Sequence, residues 1–382
     1  MRIRGATILC TGLSLLSVLV SAEASGTPFK IDVNDEYCRQ PQVRTTVIYI
    51  DTMMMFEGRL AFYQTLKDRL KGSLAPGERV SVVSLDTAEG STELVWSSCW
   101  QEWSAGNLEE QKQKAGWFSR DPERAQGPDQ EKFWAEFDEL AVGKIYLSHK
   151  RPSTEALATV DKAPPKELVR ALASDAARFP NSPVTVRAIV YSDMAEKSNL
   201  GSAFKELPPQ PPNFGEKTGG FFPKGVFYFF GVGDDIQNRG DFLDTSHAFW
   251  LRVIKSMHGV VGGYGTDLTV IGAKPVRREN YDVAVTRDAE ELDGRVSLLT
   301  DGDGDLLDSW IGLAGLGSAA LSGSYKCGGQ TCRLDANTSI GLTTTAPSEG
   351  IALSGAPASL SGNVGIKGTP QWWGTKASKT DQ

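Results

Sequence analysis

The stretch TTVIYIDTMMMFEGR, residues 45–59, contains the pattern that decides the fold. Its first six residues are mostly β-branched or aromatic, and they lead without a charge into Asp51. Such a run is typical of a strand buried on both faces, as in a parallel sheet that is covered by helices. Because α/β proteins bind ligands at the carboxyl ends of their strands, Asp51 stands where a functional site is expected.

Strand-like and helix-like segments alternate from this strand to about residue 274. Apolar side chains recur at steps of three and four residues over 56–74, which predicts a helix. The strand-like runs 79–86 and 92–98 are separated by only five residues, too few for a crossover, so they predict an antiparallel pair. Later segments predict a helix at 166–179, strands at 184–193 and 225–235, a helix at 242–259 and a strand at 266–273. We therefore predict an α/β fold over residues 25–274, a doubly wound and mainly parallel sheet with a helical insertion near 100–150.

The composition changes from about residue 275, where charged residues become fewer and Gly, Ser, Ala and Thr dominate. Apolar and polar residues alternate there on both sides of glycine-rich turns, which predicts successive β-hairpins. We predict a small all-β sandwich over residues 275–373. The polar residues 374–382 are typical of a disordered tail.

The first 24 residues have the features of a secretory signal peptide. Arg2 and Arg4 precede an apolar run, and the small residues of the segment 22–24 resemble a cleavage site. A retained membrane anchor is the alternative, but the run is short and is interrupted by polar residues. No later stretch is long and apolar enough to cross a bilayer, so we expect an exported protein, periplasmic or secreted, without a transmembrane anchor after cleavage.

Charge and cysteine content narrow the class further. The chain has 40 basic and 47 acidic residues, a formal net charge of -7, which argues against binding to nucleic acid. Beyond the leader, the number of cysteines is even, and an exported chain reaches an oxidising compartment, so two disulfides are expected. Three connectivities are possible among these four residues, which are Cys38, Cys99, Cys327 and Cys332.

The layout resembles that of a von Willebrand factor type A (vWA) domain. The shared features are a buried first strand ending in an acid, an antiparallel second and third strand, a central strand ending in SDM at 192–194, and FW at 249–250 in the helix before the last strand. The resemblance covers roughly residues 43–274. In that family, a metal-ion-dependent adhesion site uses D-x-S-x-S after the first strand, a threonine from a middle loop and an aspartate after the fourth strand.

The resemblance implies a degenerate ion site in this chain. By position, Asp51 and Asp193 match the two acids and Thr154 matches the threonine, but Met53 and Met55 stand where the serines belong. Mg²⁺ and Ca²⁺ prefer oxygen ligands, and a thioether is a poor substitute. We therefore expect no cofactor, and Asp51, Thr154 and Asp193 are only weak candidates for binding Mg²⁺ or Ca²⁺.

Two other interpretations of the acid and the methionines remain open. In the first interpretation, Asp51 accepts hydrogen bonds from nearby backbone amides. The methionines, residues 53–55, then pack under the loops, because flexible thioethers fill irregular gaps. In the second interpretation, the methionines contact an apolar partner.

The resemblance also implies the disulfide pairing. In the vWA layout the third strand is an antiparallel edge strand, so its end lies beside the beginning of the first strand. Cys99 and Cys38 occupy these two places, which leaves Cys327 to pair with Cys332.

The sequence favours an exported, non-enzymatic protein that binds another protein of the bacterial envelope or secretion apparatus. The alternative is a periplasmic metal-dependent hydrolase that resembles haloacid dehalogenases and uses Asp51 and Asp193. That family needs a second acid two residues after its nucleophile, and Met53 stands there instead. A purely structural envelope component is a third hypothesis, and it predicts no concave site at the strand tips.

Overall fold

The described part of the chain contains a six-stranded sheet and an eight-stranded barrel. The computed structural model describes residues 35–55, 61–116, 119–149, 164–179, 184–208, 212–237, 239–269, 273–287, 290–314, 317–338, 350–365 and 372–380. These residues belong to one compact unit, Val33–Gln382. The predicted leader and Thr154 lie outside the described residues.

The sheet is built from the first six strands of the chain. They are β1 (Arg44–Asp51), β2 (Arg79–Asp86), β3 (Ser91–Cys99), β4 (Thr185–Tyr191), β5 (Gly225–Phe230) and β6 (Val260–Tyr264). Their order is β3-β2-β1-β4-β5-β6, and every neighbouring pair is parallel except β2 and β3. The prediction of a mainly parallel α/β sheet is confirmed, with its antiparallel strand at the edge.

Helices cover the sheet and fill the connections. The α-helices of the described residues are α1 (Ala61–Ser73), α2 (Ala105–Lys114), α3 (Pro122–Glu136), α4 (Lys144–His149), α5 (Leu168–Ser174), α6 (Phe214–Thr218) and α7 (Arg239–Ser256). Short 3₁₀ turns occur at Asp35–Arg39, Thr52–Met54 and Ala176–Arg178, and a π-helix occurs at Phe137–Gly143. Within this part of the chain, every helix is too short or too polar to span a bilayer.

Strand β1 is buried on both faces, as its composition predicts. Val47 and Tyr49 pack into one hydrophobic cluster, with Trp250 of α7, while Ile48 and Ile50 pack into a second cluster on the other face. Because successive side chains of a strand point to opposite faces, both faces of β1 must be apolar.

The last strand of the sheet is not where the sequence predicted it. The prediction of a strand at 266–273 is wrong for its described residues, 266–269 and 273, which follow the true edge strand β6. Gly262 and Gly263 occupy the middle of β6, and glycine weakens the sequence signal for a strand because it contributes no side chain.

The C-terminal region is a closed antiparallel barrel, which corrects the predicted sandwich. Its strands are β7 (Arg277–Arg287), β8 (Glu290–Thr300), β9 (Leu306–Leu313), β10 (Gly317–Gly328), β11 (Thr331–Thr338), β12 (Gly350–Ala356), β13 (Ser359–Gly365) and β14 (Trp372–Lys379). Each strand pairs with its neighbours in the chain, and β14 returns to pair with β7. Closure leaves no free edge, whereas two stacked sheets would leave four.

Residues 374–379 of the predicted disordered tail belong to β14, the strand that closes this barrel. Residues 374–378 pair with β7 on one side and with β13 on the other. Ala377 is buried in the barrel core, and Thr375 is also buried. Only alternate side chains of a barrel strand face the interior, so a strand can be mostly polar. For this reason the sequence of β14 was not recognised as a strand.

Both expected disulfides form, which confirms the pairing that the resemblance implied. Cys38 is bonded to Cys99 at the end of β3, with the Cα atoms 5.4 Å apart. Cys327 is bonded to Cys332, its direct partner across the β10–β11 hairpin.

The sheet and the barrel meet at a buried ionic network. Arg44, at the start of β1, binds Glu78 through two nitrogens, at 3.0 and 2.9 Å, and Asp308 of β9 at 2.5 Å. Arg187 of β4 binds Glu78 at 3.2 Å, and Tyr228 of β5 donates to Asp308 at 2.6 Å. Two guanidinium groups and two carboxylates neutralise one another. Their attraction and hydrogen bonds offset the free-energy cost of burying these charges.

Candidate functional site

The strand-tip site lies at the carboxyl ends of β1 and β4, where the sequence predicted it. We use this name for Asp51, Thr87, Lys166, Ser192 and Asp193, whose side chains form one hydrogen-bonded cluster. Asp51 is fully buried, and Asp193 and Lys166 are 5% and 3% exposed. The structure brings the two predicted acids together, but it joins them through a lysine that the sequence did not single out.

Both carboxylate oxygens of Asp51 are occupied. Its Oδ1 accepts hydrogen bonds from the backbone N–H of Met53 at 2.9 Å and the hydroxyl of Thr87 at 3.0 Å. Its Oδ2 accepts from Lys166 Nζ at 2.9 Å and the hydroxyl of Ser192 at 2.7 Å. The bond to Met53 makes Asp51 the N-cap of the 3₁₀ turn that follows β1. Four donors therefore hold this carboxylate in one orientation.

Lys166 is the cation of the site. Its Nζ lies 2.9 Å from Asp51 Oδ2 and 2.7 Å from Asp193 Oδ1. Burial alone lowers the pKa of the Lys166 ammonium, but Asp193 and Asp51 raise the pKa by more, so the net pKa lies above its usual value. The ammonium consequently stays charged at any physiological pH.

The backbone around Lys166 fixes the position of its side chain. Lys166 forms two backbone hydrogen bonds with Lys197, at 3.1 and 3.0 Å, just before α5 begins. Glu196 accepts a hydrogen bond of 2.9 Å from the N–H of Val169 in the first turn of α5. Met194 adopts a left-handed conformation with φ of 59°, directly after Asp193. Strained residues of this kind persist where the surroundings hold them, often at functional sites.

The residues present do not fit the divalent ion that a vWA-like site implies. Lys166 Nζ lies within hydrogen-bond distance of both acids, which is the place that an ion shared by Asp51 and Asp193 would take. Among the described residues, no group of three or more His, Cys, Asp or Glu side chains is arranged to hold a metal ion. An ammonium and a divalent cation at the same point would repel each other strongly.

The methionines mostly serve the hydrophobic core. Met54 and Met55 are fully buried in the cluster that contains Ile50, whereas Met53 is partly exposed. Met53 contributes its backbone N–H to Asp51. This is the arrangement of the first interpretation, in which Asp51 accepts backbone hydrogen bonds while the thioethers of the methionines fill the space in the core.

The bonding of Asp51 does not suit the nucleophilic role that the hydrolase alternative requires. A nucleophilic aspartate needs a free oxygen that faces the substrate, but both oxygens of Asp51 already accept two hydrogen bonds each. Asp51 and Asp193 do converge, yet they do so on Lys166 in the protein interior and not in an open cleft.

Sequence reasoning missed Lys166, Thr87 and Ser192. Ser192 directly precedes Asp193, and Thr87 follows the last residue of β2, so both lie at strand ends and were recognisable by position. Lys166 follows two prolines and is the first residue of the helix predicted at 166–179, a context in which a lysine is usually a solvated surface residue.

Comparison with known structures gives distant likenesses. No protein-family model matches the chain, and no curated protein matches it. The crystal structure of the ArnB paralog VWA2 from Sulfolobus acidocaldarius is 11% identical, covers 82% of this chain and 65% of that chain, and has a TM-score of 0.32. The human COPII-coat protein Sec24c is 10% identical, with coverages of 70% and 43% and a TM-score of 0.27. This chain spans less than two thirds of either protein, and likenesses at these TM-scores carry no argument about its function.

Proposed function

We propose that the protein is an exported, non-enzymatic binding protein of the bacterial envelope or secretion apparatus, whose strand-tip site works without a metal ion. In this proposal the loops at the carboxyl ends of the strands contact a partner protein. Lys166 takes the structural role that a divalent cation has in an ion-dependent site. The observation that carries the proposal is the position of Lys166 Nζ between the carboxylates of Asp51 and Asp193.

The bonding of the two acids supports a binding role over catalysis. Asp51 is fully occupied by four donors, and Asp193 Oδ1 accepts from Lys166 at 2.7 Å and from the N–H of Ala195 at 3.0 Å. Such a site holds the adjoining loops in a fixed shape, because a change of rotamer at Asp51, Lys166 or Asp193 would leave a buried charge without its hydrogen bonds. A fixed loop surface favours recognition of one partner, since less conformational entropy is lost on binding.

The two disulfides support export. They close loops with sequence separations of 61 and 5 residues, and disulfides persist mainly in oxidising compartments. The predicted leader at residues 1–24 would deliver the chain to such a compartment.

The test is site-specific photo-crosslinking in the envelope fraction of the native host. A photoreactive residue replaces Met53, which is partly exposed at the strand tips, and a control probe replaces Arg333, whose side chain is 74% exposed on the barrel. We expect one protein to crosslink to the probe at position 53, equally with EDTA and with Mg²⁺, and not to the probe at 333.

Two results contradict the proposal. Loss of the crosslink in EDTA would mean that a divalent ion is required after all. Hydrolysis of a phosphate monoester such as p-nitrophenyl phosphate, abolished by Asp51→Asn and unchanged by Met53→Leu, would support the hydrolase alternative instead.

A further inference from the structure

A basic cleft separates the sheet from the barrel on the side opposite to the strand tips. We use this name for a cavity of about 1150 Å³ that the segment before β5, the end of α7 and the barrel strands β7 to β10 enclose. Ligand sites of several hundred to about a thousand Å³ are often found between two packed parts of a protein. The cleft shares no residue with the strand-tip site, so the inference is independent of the proposed function.

Positive charge dominates this cleft although the whole chain is acidic. Four cationic side chains and two carboxylates line it, namely Lys224, Arg252, Lys255, Arg295, Asp282 and Asp293. Arg295 is paired with Asp282 at 3.2 Å, but Arg252 and Lys255 form no ion pair with any described residue. A cleft lined mainly by one sign of charge attracts ligands of the other sign.

Lys224 and His258, which both line the cleft, are held in unusual backbone conformations. Their φ angles are 61° and 63°, in the left-handed region that non-glycine residues rarely adopt. His258 caps the end of α7, and its ring packs on Phe221 with centroids 5.2 Å apart. Burial lowers the pKa of Lys224, and the nearby guanidinium groups of Arg295 and Arg278 lower the pKa further. Positive charges are thus crowded at the wall next to the barrel.

Two buried polar atoms beside these charges have no hydrogen-bond partner among the described residues. They are Nε1 of Trp310, a residue 8% exposed, and Oγ of Ser297, a residue 3% exposed. The two residues are direct partners on β9 and β8, so their side chains lie on the same face of the barrel wall. Leaving a buried donor unsatisfied costs about 1–3 kcal/mol, so such groups usually mark a missing ligand or water.

Both atoms belong to residues that line a recess beside the cleft. This recess has a volume of about 50 Å³ and shares four lining residues with the cleft, including Trp310 and Lys224. A cavity needs about 10–15 Å³ of such space to hold one water, so the recess has room for the oxygens of a single small group. An oxyanion is the group that satisfies an N–H donor, an O–H donor and nearby cations together.

We propose that the basic cleft binds a small organic anion with carboxylate or phosphate groups, one of which enters the recess and accepts hydrogen bonds from Trp310 Nε1 and Ser297 Oγ. The rest of the ligand lies along the cleft, where Arg252 and Lys255 neutralise its remaining charge. The mixture of apolar and polar lining, which includes Pro223 and Leu313, accommodates a carbon skeleton between the charged groups.

The test is an NMR titration of the full chain with ¹⁵N-labelled tryptophan. The chain contains nine tryptophans, and the indole N–H signal that disappears in Trp310→Phe is the one from Trp310. Citrate and pyrophosphate are the carboxylate and phosphate probes, and sodium chloride at matched ionic strength is the control. We expect the Trp310 signal to move downfield and saturate with at least one probe and to stay unchanged with chloride, and the tighter probe identifies the class of anion.

Charge variants provide a second readout that does not disturb the core. Arg252→Gln and Lys255→Gln each remove one charge-assisted contact, so the dissociation constant of the tighter probe is expected to rise about tenfold in each. Arg333→Gln, an exposed barrel variant, is the matched control and leaves the constant unchanged.

The proposal is overturned by either of two outcomes. The Trp310 signal does not respond to either probe, which would mean that water alone fills the recess. Alternatively, Arg333→Gln weakens binding as much as Arg252→Gln does, which would mean that the probes respond only to the general charge of the surface.

Discussion

Replacing Lys166 by methionine tests the strand-tip site most directly. Methionine keeps much of the length of the side chain but removes the ammonium, and it leaves the carboxylates of Asp51 and Asp193 buried without their shared cation. The variant loses two charge-assisted hydrogen bonds, of 2.9 and 2.7 Å, each of which contributes about 1.5–3 kcal/mol. Breaking a buried ion pair by removing one partner costs about 3–5 kcal/mol, so we expect the free energy of unfolding to fall by that amount.

The assay is urea denaturation followed by tryptophan fluorescence and circular dichroism, with Lys67→Met as the matched control. Lys67 also pairs with an acid, Asp138, at 2.6 Å, but the pair is partly exposed, so its loss is expected to cost only about 0.2–1 kcal/mol. The reasoning is refuted when Lys166→Met is no more destabilising than Lys67→Met. Fluorescence and circular dichroism must give the same midpoint for the comparison of free energies to hold.

A smaller residue at position 166 should allow the strand-tip site to bind an ion. Lys166→Ser leaves space between Asp51, Asp193 and the hydroxyl of Ser192, which are oxygen ligands suited to a hard cation. We expect Ca²⁺ to stabilise this variant by about 2.7 kcal/mol at a hundred times its dissociation constant, and to leave the wild type unchanged. Equal stabilisation of both proteins would show that the ion binds elsewhere.

The remaining predictions concern pH and the disulfides. Burial raises the pKa of Glu196 to about 7, above its unfolded value of 4.5, so the folded state binds more protons between these values and stability falls as pH rises through 7. Glu196→Gln should remove this fall, which is on the order of 3 kcal/mol, between denaturation curves at pH 4.5 and pH 8. Replacing the Cys38–Cys99 pair by serines should cost about 4 kcal/mol, against about 2 kcal/mol for the Cys327–Cys332 pair, because the loops they close differ in length. Equal losses of thermal stability in the two serine variants would argue against a loop-entropy effect.

The sequence predicts the parts of this fold that depend on local composition. Strand β1 can be predicted because both of its faces are apolar. Its end can be predicted because Asp51 is the first charged residue after the apolar run. Strand β14 is not readable, because its pairing with β7 joins residues about a hundred positions apart and few of its side chains are apolar. Non-local pairing of this kind has no signature in a short window of sequence.

The position of the candidate site could be predicted from the sequence, but the cation that it contains could not. The carboxyl ends of parallel strands meet at one edge, so Asp51 and Asp193 had to be neighbours once the sheet was assigned. The cation between them comes from a short segment before α5 that pairs with Lys197. No rule of spacing connects a lysine to an acid 115 residues away, and only the folded loops bring Lys166 to Asp51.

The charge balance of the strand-tip site explains why hydroxyl groups surround it. One ammonium is shared by two carboxylates, whereas a divalent ion in the same place would carry one positive charge for each of them. The hydroxyls of Thr87 and Ser192 and the N–H of Met53 all donate to Asp51, so their dipoles stabilise the charge that Lys166 does not neutralise. The lysine cannot dissociate as an ion can, so neither chelators nor changes in cation concentration should change the bonding within this site.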